Sequence, residues 1–129
     1  VQAKELSTDA LLYTGDALAL VLLTVAGFAT HGELSTAGTR MLSTYVPLAV
    51  AWALTAPWLG LYREATVRDA RQLWRPVWAA ILATPLAALL RSLWLGEGIV
   101  LPIFVLALGA TTAGVMLLWR TVWLLVRRR

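Results

Sequence analysis

Four times along the chain, apolar residues dominate for about twenty positions, the length a helix needs to cross a hydrocarbon core roughly 30 Å thick at about 1.5 Å of rise per residue. These runs lie near residues 10–30, 42–62, 76–95 and 99–126. Backbone amides left unpaired in lipid are costly, and the period-two alternation of a barrel strand is missing, so each run is predicted to be a helix. The pattern predicts an all-α membrane protein: four transmembrane helices in two antiparallel hairpins, one domain over residues 1–129, with little chain outside the bilayer.

Composition strengthens this reading. The 129 residues are 60% hydrophobic and 14% charged, with a mean hydropathy of +0.74. The absence of cysteine excludes disulfides, thiolate metal sites, iron–sulfur clusters and cysteine nucleophiles. The leader "VQAKELSTD" is slightly acidic and the first run exceeds a typical signal-peptide core, so that run is expected to be a retained span.

The net charge of +4 could suggest nucleic acid, but its placement indicates membrane orientation instead. Arg63, Arg68, Arg71 and Arg75 occupy the middle loop, and Arg127, Arg128 and Arg129 the tail; the first loop has only Arg40, and the last has no basic residue. The positive-inside rule puts both termini and the middle loop of this multi-pass protein in the cytoplasm. Most Trp and Tyr residues fall toward the two boundaries, leaving Trp52 near the midplane. The tail arginines beside Trp119 and Trp123 are also candidates for contact with anionic lipid.

Helices in lipid associate where small residues let backbones approach. Candidate stripes are Gly15, Ala19, Ala26 and Gly27 in the first span, and Ala49, Ala53, Ala56 and Gly60 in the second. The third offers Ala80, Thr84, Ala87 and Ala88, and the fourth "GATTAG" at residues 109–114. Prolines Pro47, Pro57, Pro85 and Pro102 are expected to kink the last three spans.

Asp16, Arg91 and Arg120 are the ionisable residues inside the runs. At a helix centre each costs at least ~2.5 kcal/mol on insertion scales, so each should face protein or water and find a partner. Arg120 follows Met116 by four residues and Ala113 by seven, and so shares the face of the small-residue stripe. Counted from the same membrane side, Asp16 lies about 9 Å deep and Arg120 about 10 Å. The matched depth predicts an ion pair joining the first span to the last. A proton-coupling or cation-binding carboxylate, or one wetted by interfacial water, are the other readings of Asp16.

On the outer side His31, Glu33, Arg91 and Glu97 could meet. The single histidine could serve as an axial ligand to haem or chlorophyll, or as a hydrogen-bonded helix cap, but no zinc set is available. Catalytic triads, Gly-rich phosphate loops and HExxH stretches are absent from the sequence.

The motifs "GDALAL" (15–20), "HGE" (31–33), "AW" (51–52), "GLYRE" (60–64), "PLAALLR" (85–91) and "LLWR" (117–120), in this order, resemble a family of small four-span prokaryotic membrane proteins known as domain of unknown function 3054. The resemblance extends from about Asp9 to Arg120 and implies a four-helix membrane fold without an activity. It picks out Asp16, His31, Arg91 and Arg120.

The favoured expectation is a non-enzymatic integral membrane protein, either an accessory or packing subunit of a larger complex or a binder of lipid, quinone or carotenoid in a groove beside Trp52. Its partners would be membrane lipid, other membrane subunits or itself, and not nucleic acid. The alternative is a small dimeric transporter or channel with Asp16 as its coupling carboxylate.

Overall fold

The structure, a computed structural model, describes residues 2–30, 38–96 and 98–127, with the side chains of residues 2–9, 30, 39 and 64 left aside. Its helices are α1 (Gln2–Thr30), α2 (Gly38–Thr55), the single turn α3 (Glu64–Val67), α4 (Trp74–Leu95) and α5 (Pro102–Arg127). Two 3₁₀ turns, Pro57–Leu59 and Ala70–Gln72, flank α3. Among the described residues there is no strand. Four stretches are long and apolar enough to cross a membrane: Ala10–Ala29, Arg40–Leu59, Ala70–Leu95 and Pro102–Arg127. The protein is a multi-pass membrane protein built as a helix bundle.

The long helices close a ring. α4 packs along α2 on one side and α5 on the other, and α1 completes the circuit against α5 and α2. The interior face of α4 is made of small side chains, Ala79, Ala80, Ala83, Thr84, Ala87 and Ala88, which lets both neighbours come close. Gly109 of α5 sits against it so tightly that a Cβ there would stand 3.1 Å from Thr84 Oγ1.

Three sequence expectations need correction. The second span does not run as one helix to Tyr62: α2 stops at Thr55. Pro57 has no N–H to continue the ladder, 3₁₀ bonds from Leu59 N–H to Ala56 O and from Gly60 N–H to Pro57 O replace it, and Gly60 ends the turn in the left-handed region at φ 69°. Pro102 does not kink the last span but begins it, at a position where a missing N–H costs nothing. Finally, the buried face of α2 is Leu48, Ala51, Trp52 and Ala56, while Ala53 is exposed; on α5 it is Thr112, Met116, Arg120, Trp123 and Leu124, while Ala110 and Gly114 face outward. Part of the predicted small-residue stripes therefore points to the outside, as do Ala26 and Gly27 of α1.

Candidate functional site

Asp16 is on the inner face of α1, one turn from Leu12 and one from Leu20, all three buried. The structure sets its Oδ2 at 2.9 Å from Arg120 Nη2 of α5, with side chains only 3% and 5% exposed. Three further donors complete the surroundings. Tyr62 O–H donates to Oδ2 at 2.7 Å, Trp52 Nε1–H to the same oxygen at 3.1 Å, and Trp119 Nε1–H to Oδ1 at 2.8 Å. Both carboxylate oxygens are thus occupied, by donors from α2, α5 and the segment after α2. Such a shell is what an ionised carboxylate away from water requires, since Coulomb attraction to one arginine seldom offsets the desolvation of both ions.

Each donor is placed by a local feature of the chain. The early end of α2 turns the backbone back, so that Leu61 offers its carbonyl to Arg120 Nη1 at 2.8 Å while the next residue, Tyr62, reaches Asp16. The Tyr62 ring stacks on Tyr13 with centroids 4.1 Å apart, and the Arg120 guanidinium lies 5.3 Å from the Tyr62 centroid. This segment follows the second apolar stretch, which closes at Leu59. There, burial first and then the charge of Asp16 push the Tyr62 phenol above its ordinary pKa, which keeps it a donor.

Trp119 reaches Oδ1 by crossing α1 at Gly15. A Cβ on Gly15 would fall 2.6 Å from two indole atoms and closer still to a third. Only glycine leaves room for the ring. On the loop side, Leu12, Val67 and Trp123 pack together and cover the approach. Arg120 Nε has no protein acceptor among the described residues, and the guanidinium borders a cavity of about 10 Å³ shared with Thr66 and Gln72, about the size of one water.

Of the other predicted site residues that are described, Trp52 joins the cage and Arg91 does not. Trp52 was expected beside an apolar groove; instead it is 3% exposed, inside the bundle, with its N–H committed to Asp16. Arg91 lies between α2 and α5, donating from Nε to Thr44 Oγ1 at 3.3 Å, with its guanidinium 4.9 Å from the Phe104 centroid. His31, Glu33 and Glu97, its expected neighbours, are outside the described residues, as are Arg128 and Arg129 of the tail. Arg127 lies over the Trp123 ring at 4.6 Å. Among the described residues, no group of three His, Cys, Asp or Glu could hold a metal ion.

Sequence reasoning missed Tyr62, Trp119 and the Leu61 carbonyl as members of this cage, and assigned the two aromatic residues to the membrane boundary. A signal was present: "GDALAL", "AW", "GLYRE" and "LLWR" each contribute a cage residue.

Residues 13–123 match a family described as a protein of unknown function, DUF3054. The match takes in every member of the cage. No curated protein and no solved structure matches the chain.

Proposed function

We propose that this chain, which belongs to the DUF3054 family of proteins of unknown function, is a non-enzymatic packing or accessory subunit of a membrane complex in which the Asp16 cage is a structural clasp. The observation that carries this reading is the saturation of Asp16: four donors occupy its two oxygens and the residue is 2% exposed. A coupling carboxylate must exchange protons or cations with water during turnover, and both oxygens of this one already accept hydrogen bonds from the protein. This supports the clasp over a coupling role for Asp16, and the burial of Trp52 supports it over an apolar-cofactor groove there.

In this reading the four spans form two antiparallel hairpins in a prokaryotic plasma membrane, with both termini and the arginine-rich middle loop in the cytoplasm, as the positive-inside bias supports. The working surface is the outside of the bundle, which presents large apolar side chains such as Leu18, Leu54, Leu82, Leu106 and Leu118. α5 is the least enclosed span, with 11% of its apolar window buried against 28% to 39% for the others. Its outer face has the most to offer a membrane partner.

Purification from native membranes in mild detergent tests the proposal. Stoichiometric co-migrating membrane subunits are expected. Substrate-dependent proton movement in liposomes of the pure protein, lost in Asp16→Asn at unchanged folding, would overturn it.

A further inference from the structure

Gly60 brings two arginines to one point. A Cβ built on it would stand 3.3 Å from both Arg63 Nε and Arg75 Nη1, so the two guanidinium groups lie within twice that distance of each other. Like charges at this separation repel. Among the described side chains no carboxylate pairs with them: Asp69 faces Arg71 at 3.6 Å, and Asp16 faces Arg120.

Arg75 is nevertheless held in place. Its Nη1 donates to Leu59 O at 2.6 Å, its Nε to Gln72 Oε1 at 2.6 Å, and its guanidinium lies 4.9 Å from the Trp74 centroid. These acceptors are neutral, so its charge remains available. Arg63 is exposed and adds a second set of donors alongside. The Arg63 guanidinium together with the remaining Nη2 donors of Arg75 suits the oxygens of a phosphate group.

The level of the pair identifies the source of that phosphate. Trp58, 90% exposed, is on the 3₁₀ turn next to Gly60, and the half-exposed Trp74 and Trp78 open α4. Exposed tryptophans at the ends of apolar spans mark the headgroup layer.

We propose that Arg63 and Arg75, brought together at Gly60, bind the phosphate of an anionic phospholipid headgroup. This site is separate from the Asp16 cage and from the tail arginines, and it goes beyond the subunit reading. It requires only that the middle loop lie at a membrane surface.

The test is native mass spectrometry of the whole protein released from nanodiscs of mixed phosphatidylglycerol and phosphatidylcholine. Retention of phosphatidylglycerol over phosphatidylcholine is expected, falling about fivefold in Arg63→Gln and further in Arg63→Gln/Arg75→Gln. Arg71→Gln, which removes a side chain 92% exposed and paired with Asp69, should leave retention unchanged. Because Arg75 also holds the loop, Arg63→Gln decides the matter. Equal losses in Arg63→Gln and Arg71→Gln would show diffuse attraction and overturn the site. Inorganic phosphate bound as tightly in nanodiscs of phosphatidylcholine alone would overturn the lipid as its ligand.

Discussion

Gly15 and Trp119 interlock: the indole of α5 occupies the space where any other residue at position 15 would carry its Cβ. The contact brings Trp119 Nε1 within 2.8 Å of Asp16 Oδ1, so the residue before the acid determines whether the acid is fully satisfied. Gly15→Ala must expel the ring, and a loss of about 1–3 kcal/mol is expected from overpacking together with the broken hydrogen bond. Thermal melts in detergent measure it. Trp119→Phe removes the same hydrogen bond outright, so the two substitutions together should cost less than their sum. Full additivity would mean that Gly15 does not act through the indole.

Removing one partner of the buried pair leaves the other charge uncompensated. Arg120→Leu and Asp16→Leu are each expected to cost about 3–5 kcal/mol, while the double replacement recovers part of the loss. Recovery should be incomplete, because Tyr62 and Trp119 then keep O–H and N–H groups without an acceptor, while Trp52 retains only the Tyr62 oxygen at 3.3 Å. Yields of folded protein by size-exclusion chromatography, alongside melts, report both effects.

Tyr62→Phe keeps the stack on Tyr13 and the ring beside Arg120 but deletes the 2.7 Å bond to Asp16. A cost of about 1.5–3 kcal/mol is expected for a hydrogen bond to a charged group. The phenol also makes a pH prediction. Its folded pKa is raised above the ordinary 10.0, so its contribution is fully present below about pH 10 and is lost as pH rises beyond it. Alkaline melts should fall more steeply in the wild type than in Tyr62→Phe, and ultraviolet titration should show one tyrosine ionising only on unfolding.

The "GATTAG" stretch separates packing from lipid exposure within six residues. Gly109→Leu should push α5 from α4 at Thr84, with a loss of about 1–3 kcal/mol. Nothing lies within 4 Å of a Cβ on Gly114, so Gly114→Leu should be tolerated. Comparing their melts distinguishes the two faces, and equal sensitivity would show that both are packed in the membrane.

The depth of Asp16 and Arg120 is legible by counting from the ends of two apolar runs, and the structure has these residues in contact. The inner face of α4 is legible too, since Ala80, Thr84, Ala87 and Ala88 are all buried. Ala53, Ala110 and Gly114 are not, because lipid is as apolar as leucine and a small residue suits either surface. The cage donors were hidden for another reason. Trp and Tyr serve equally well at the headgroup layer and as buried N–H or O–H donors, and composition does not separate the two uses. Tyr62 turns inward only because α2 stops at Thr55, a consequence of Pro57 and Gly60 acting together.

The clasp also imposes an order on biosynthesis. Arg120 follows Asp16 by 104 residues, and at roughly 5–20 residues per second the ribosome takes on the order of ten seconds to reach it. Until then the first span carries an acid whose counterion has not been made, with Trp52 and Tyr62 arriving midway as interim donors. Arrival of the last span, which brings Arg120 and Trp119, is what completes the shell around that acid.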